Sequence, residues 1–157
     1  IRPPVIILAK LVPYLIVGMI NIVMILLISV FVLKVPVAGN IILLFFIGTI
    51  FTLSSLALGI MVSVLTKTQR SAIIVSIAGL MLPAIVLSGF IFPLDVLSPL
   101  MKATVHLMPV TLFISAARSV MIKGLGMAAV YPELILMAVV TIILIVISIK
   151  CFKDRLS

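Results

Sequence analysis

Acidic residues are almost absent from this chain: Asp95, Glu133 and Asp154 are the only three in 157 residues. His106 is the single histidine, Cys151 the single cysteine, and there is no tryptophan. Each shortage removes a class of chemistry. A carboxylate pair is not expected, because Asp154 falls on the opposite side of the membrane from the other two in the topology read below. A zinc or other transition-metal centre needs several His, Cys or carboxylate ligands together, and no such cluster is spelled out. One cysteine cannot form an internal disulfide, and near a helix end it reads as a small apolar residue. An intramembrane serine protease would have only Ser88 and His106 to work with, and His106 falls on a short interfacial helix. The run Lys123-Gly124-Leu125-Gly126 lacks the glycine, lysine and hydroxyl order of a phosphate-binding loop. No ATP site or other cofactor is expected on the chain itself, so energy would come from a partner or an ion gradient.

Apolar residues are what the chain has instead. They make up 66% of the sequence against 9% charged, and mean hydropathy is +1.63. Soluble domains sit near 45–50% apolar and about 25% charged, so the composition is that of an integral membrane protein. The net charge of +8 does not indicate nucleic acid, because Lys and Arg collect in short loops, as orientation signals do. No cleavable signal peptide is visible. The chain opens at Ile1 with Arg2-Pro3-Pro4 and reads as the C-terminal part of a longer protein.

Four apolar runs are long enough to span a bilayer: residues 11–33, 41–65, 72 to about 92, and 127–149. Each holds about 20 residues or more, enough for about 30 Å of hydrocarbon. An even number of spans puts both ends on one side. That side carries Arg2, Lys10, Lys67, Arg70, Lys150, Lys153 and Arg155, and the other carries Lys34, Lys102, Arg118 and Lys123. The positive-inside rule then predicts both ends cytoplasmic. On the second span Gly48, Thr52, Ser55, Gly59 and Ser63 recur at helical spacing and predict a face for close helix packing. Ala72, Ser76 and Gly79 form a shorter stripe on the third. Asn21 is the most polar residue expected to be buried in the first span, bonded to another helix or facing a cavity.

The stretch 83–124 resists a simple reading. Pro83, Gly89, Pro93, Pro99 and Pro109 interrupt it too often for a spanning helix, yet it is too apolar for an aqueous loop. Broken backbone at membrane depth is tolerated where protein or a water-filled cavity shields it, which points to a transport path. Ser98-Pro99 predicts the N-terminus of a short helix over about 99–107, with Lys102 and His106 on the face of Ser98. A second short helix follows over about 110–123, closed by Gly124. On it Thr111, Ser115 and Arg118 form a polar line, and Phe113, Ile114, Ala117, Val120 and Met121 an apolar one. Asp95 and Glu133 are expected to pair with Lys102, Arg118 or Lys123. The fold class is thus an all-α polytopic membrane helix bundle, with four spans and two short re-entrant helices before the last.

These pieces resemble a known family. Leu87-Ser88-Gly89-Phe90-Ile91-Phe92-Pro93-Leu94 is similar to the segment closing the fifth helix of ATP-binding-cassette type-2 permeases. Met108-Pro109-Val110-Thr111, Arg118 and Lys123-Gly124 match the paired short helices before that family's last span. Arg2-Pro3-Pro4 with Lys10-Leu11-Val12-Pro13-Tyr14 resembles its cytoplasmic approach to the third helix. Such permeases have six spans, of which this chain would match the last four. The resemblance implies the membrane subunit of an exporter of drug, lipid or glycan class in a plasma membrane, a bacterial inner membrane by preference. It implies a partner ATPase subunit that binds the ATP and a second permease copy or paralogue. Arg2, Pro3, Pro4, Lys10, Lys67 and Arg70 would face the ATPase. Ser88, Gly89, Phe90, Phe92, Pro93, Pro109, Thr111 and Arg118 would form an outer gate. An ion-coupled secondary transporter or channel is the alternative, disfavoured because the spans hold so few ionisable residues. A purely structural membrane subunit would leave the proline and glycine breaks unexplained.

Overall fold

The computed structural model describes residues 3–87, 91 and 93–156. Helix α1 runs Pro3–Leu27, α2 Ile41–Leu65, α3 Gln69–Ile74, α4 Leu82–Leu87, α5 Pro99–His106, α6 Pro109–Met121 and α7 Met127–Leu156. A π-helical turn, Ile28–Val32, extends α1, and another, Val75–Met81, joins α3 to α4. Among the described residues four continuous helices are therefore long and apolar enough to cross a membrane: Pro4–Val32, Ile41–Leu65, Gln69–Val86 and Met127–Asp154. The expected all-α membrane bundle is what the chain forms.

The first helix begins earlier than expected. Pro3 and Pro4 look like breakers, but proline is tolerated in a first turn because its missing N–H would have no acceptor there. Residues 3–10 are thus the opening turns of α1 rather than a separate approach segment, and α1 continues through Pro13. The second helix has the expected bounds. Asn40 caps it by accepting from the Ile42 N–H at 2.8 Å, and Thr66 ends it in extended backbone. Thr68 and Ser71 form a reciprocal capping box that starts α3. The π turn ahead of α4 ends just before Pro83, a residue that cannot donate to the helical ladder.

The buried core lies among α2, α6 and α7. Leu44 and Ile47 of α2 meet Leu112, Ala116 and Val120 of α6 and Val130, Leu134 and Met137 of α7. Lower in the bundle the Ser54 and Thr141 hydroxyls, both fully or nearly buried, lie within hydrogen-bond distance: one donates to the other, and the acceptor donates to the carbonyl four residues back, which is also within reach of the first. Pairings of low numbers with low and high with high show that α2 and α7 run in the same direction. Helix α1 runs against α2, with Gly18 on Thr52 and Ile22 on Gly48. The start of α1 and the end of α7 therefore lie at one end of the bundle. A Cβ on Gly18 would collide with the Thr52 methyl, so glycine here sets the α1–α2 separation. No side chain described in Gln69–Val86 is buried. Asn21, expected to be buried, is exposed on this chain, because α1 covers only its α2-facing side.

Candidate functional site

Helix α6 is 13 residues long, about 20 Å at 1.5 Å per residue, so it covers only part of the membrane depth. Its position in that depth is set at both ends. Near its start, Phe113 stacks on Phe51 with ring centroids 4.4 Å apart. Phe51 lies midway along α2, so the α6 N-terminus sits near the middle of the bundle. At the other end the Ala38 N–H donates to the Met121 carbonyl at 2.9 Å. Gly39 packs so closely on Val120 that an added Cβ would strike its carbonyl oxygen. The connection from α1 to α2 thereby caps the last turn of α6, satisfying a carbonyl that the helix itself leaves open. Gly124, with a φ of 62°, turns the chain into α7, and the Leu125 N–H reaches back to the Ser119 carbonyl.

Helix α5 precedes this element at an angle of 81°. Ser98 caps α5 from its side chain, Pro99 takes its first turn, and His106 Nδ1 lies 2.7 Å from the Lys102 carbonyl. Two short helices with a sharp bend between them stand before the last span, as the prolines predict, and their length and apolarity suit a broken span as well as a re-entrant pair. Ser88, Gly89, Phe90 and Phe92, assigned to the same gate, lie outside the described residues. Pro93 is exposed, and Pro109 is buried at the first position of α6.

The polar line on α6 divides. Ser115 and Arg118 are exposed, but Thr111 is only 4% exposed and its hydroxyl has no hydrogen-bond partner. The buried face runs through Leu112, Ala116 and Val120, and Phe113, Ala117 and Met121 of the expected apolar line are partly buried against the same core. Ser115 donates to Glu133 Oε1 at 3.5 Å, the limit of a hydrogen bond, and Glu133 Oε2 is buried without a partner. The expected ion pairs do not form. Among the described residues none of Lys102, Arg118 and Lys123 meets Asp95 or Glu133, because the bend turns α5 away and Ser115 is the residue of α6 that faces Glu133. Thr111, Ser115 and Glu133 form a polar seam in the half of the bundle capped by residues 34–40.

The remaining predicted residues divide between two ends. Gly48 and Thr52 pack on α1 as described, whereas Ser55, Gly59 and Ser63 are exposed along a groove shared with Lys10 and Tyr14. Lys67 in the turn between α2 and α3 and Arg70 in the first turn of α3 are exposed, at the end where α1 begins. Pro4 lies in the first turn of α1. Pro3 opens it, and Arg2 lies outside the described residues. Sequence reasoning missed the Gly18 and Gly39 contacts and the Ser54–Thr141 bond. The signal available was a glycine inside one span and a hydroxyl inside each of two others, with nothing to say which would meet.

A family model described as ABC-2 type transporter matches residues 1–122. This chain belongs to that family. A protein of Escherichia coli K12 named a probable multidrug ABC transporter permease, YbhS, is 38% identical over 117 residues, 74% of this chain and 31% of that protein. YbhR of the same organism, named likewise, is 29% identical over 132 residues, covering 84% of this chain and 36% of its own length. ABC transporter G family member 20 of Dictyostelium discoideum is 29% identical over 109 residues, 69% of this chain and 15% of that protein. The chain thus spans about a third of the length of the bacterial relatives it matches. No solved structure matches it.

Proposed function

We propose that this chain is permease machinery of an ATP-driven exporter, working with a separate ATP-binding-cassette ATPase subunit and a second permease copy or paralogue. The observation that carries the reading is α6, a half-depth helix with a buried N-terminus and an unbonded Thr111 hydroxyl, in a chain of the ABC-2 type transporter family. Half-helices starting near the midplane recur where a membrane protein opens a path for a solute. In this reading α5 and α6, with Ser88, Gly89, Phe90, Phe92, Pro93, Pro109, Thr111 and Arg118, form an outer gate. The opposite end, with Arg2, Pro3, Pro4, Lys10, Lys67 and Arg70, is cytoplasmic and meets the ATPase. ATP is bound by that partner, and its closure moves the α2–α3 turn and the start of α1. The membrane is a bacterial inner membrane. The cargo belongs to the drug, lipid or glycan class, and the multidrug naming of YbhS and YbhR favours the first.

The test uses the full-length protein purified from its native membrane. An ATPase should co-purify, and export of dye or drug from loaded vesicles should require ATP hydrolysis. Flux driven by a proton or sodium gradient alone, with no associated ATPase, would overturn the reading in favour of an ion-coupled transporter. Charge reversal at Arg2 should weaken ATPase association without disturbing insertion.

A further inference from the structure

Glu133 is the one acid of this chain set inside a span. It lies six residues past the start of α7 at Met127, about 9 Å along the helix. Asp154 stands near the far end of that helix, and Asp95 in the short turn before α5. A carboxylate at such a depth is costly unless a cation or several donors answer it. The chain supplies cations on the adjoining elements: Lys102 on α5, Arg118 on α6 and Lys123 just past α6. None of them meets it among the described residues. The α6 residue that does is Ser115, whose hydroxyl lies at the 3.5 Å limit from Oε1, and Oε2 is buried without a partner.

The surroundings select what can answer the acid. Ser115 is exposed and Glu133 half-buried, so the carboxylate is open to the surface of the bundle on one side. One turn deeper on α6, about 6 Å inward, Thr111 carries a further oxygen that is enclosed and unbonded. The flanking positions on both helices are apolar, Leu112 and Ile114 on α6 and Val130 and Leu134 on α7. A small metal ion needs about six oxygens at once, more than these side chains offer. An organic cation needs one counter-charge for its charged end and apolar surroundings for the rest, and that is the chemistry of this face. A lysine or arginine from a second copy would answer the carboxylate but leave the deeper Thr111 hydroxyl unserved.

We propose that Glu133 and Ser115 form a binding site for an organic cation with an apolar body, and that Thr111 is the next acceptor inward. The Glu133 carboxylate takes the positive charge. The Ser115 oxygen adds its dipole once its weak bond to Oε1 is released, and the apolar body lies along α6. As a statement about cargo this rests on the exporter reading and narrows it: a neutral or anionic drug finds no counter-charge here.

Equilibrium binding to the purified full-length protein in phosphatidylcholine nanodiscs, without ATP, compares tetraphenylphosphonium with triphenylphosphine oxide, an uncharged molecule of similar apolar surface. Wild type should prefer the cation. Glu133→Gln should weaken cation binding about tenfold and leave the uncharged compound unaffected, while Glu133→Asp keeps part of the preference. Ser115→Lys, which sets a base opposite the acid, should abolish the preference with the carboxylate in place, and Asp95→Asn should leave it intact. Where Ser115→Lys folds poorly, the two Glu133 variants carry the test. Equal binding of the two compounds by wild type would overturn the proposal. So would wild-type cation binding in Glu133→Gln, or an equal loss of both compounds, the mark of a merely structural acid. ATP-driven export by the reassembled transporter is measured separately. Charge-selective binding with no ATPase and no ATP-driven flux would leave the site standing and overturn the exporter reading. ATP-driven flux of an uncharged dye without charge-selective binding would overturn the site alone.

Discussion

Two contacts decide at the level of single atoms how closely the spans approach. Gly18 leaves no room for a methyl beside Thr52, so Gly18→Leu should overpack the α1–α2 seam and cost about 1–3 kcal/mol. A fall in the thermal midpoint of the purified protein would register it. The nearest atom is the Thr52 methyl, so a Thr52→Ser change should recover part of the loss in a Gly18→Ala background. The second contact is the buried Ser54–Thr141 bond. Both hydroxyls keep a backbone carbonyl when the partner is removed, so the loss is partial. A double-mutant cycle of Ser54→Ala and Thr141→Ala should give a coupling of about 0.6 kcal/mol, the average for such bonds between membrane helices. A coupling indistinguishable from zero would show that each hydroxyl is served by its own helix alone.

Among the elements, α6 and the segment before α2 act on each other directly. Cysteines replacing Ala38 and Met121, with Cys151→Ser to remove the native thiol, would sit on residues already joined through their backbones. Oxidation should hold the cap on α6 at its pivot and leave transport by the full-length protein intact. Loss of flux with the crosslink formed, restored by reduction, would show that α6 must move relative to that segment. The extent of α2 was legible in the chain because Asn40 and the polar residues after Leu65 mark both its ends. The short helices were legible for a similar reason, since Ser98-Pro99 and Pro109 are starts that proline itself favours. The beginning of α1 was not, because the same residue type reads as a breaker and as a first turn. Nor were the Ser115–Glu133 contact and the unbonded Thr111 hydroxyl, which depend on how α6 packs on α2 and α7, an arrangement no local pattern encodes. Polar spacing located the seam on α6 but could not tell which of its hydroxyls would be enclosed.

Across the whole molecule, charge and topology make a common statement. Helix α1 starts and α7 finishes at the same end, with Lys10, Lys67, Arg70, Lys150 and Lys153, while Lys34 and Lys123 lie by the turns at the other. If basic loops set the orientation, a membrane-impermeant maleimide applied to intact cells should label Lys34→Cys and spare Lys67→Cys. The reverse pattern would invert the assignment of gate and ATPase face together. The exposed apolar faces of α1 and of the span from Gln69 to Val86 leave most of the chain's contact with lipid and neighbouring polypeptide on those two elements. The core of α2, α6 and α7 is thus the part that can hold its shape while they shift. Within it α6 is held at its outer end by the Ala38 bond and at its inner end by packing alone, with Phe113 on Phe51 and no side-chain cap. Any tilt of α6 must therefore pivot at Met121 and slide that packing. Rotating α6 by about 10° about Met121 carries Pro109 through about 3 Å at 1.5 Å of rise per residue, the width of one water molecule. A shift too small to disturb the fold would then decide whether the buried, unbonded Thr111 hydroxyl meets water.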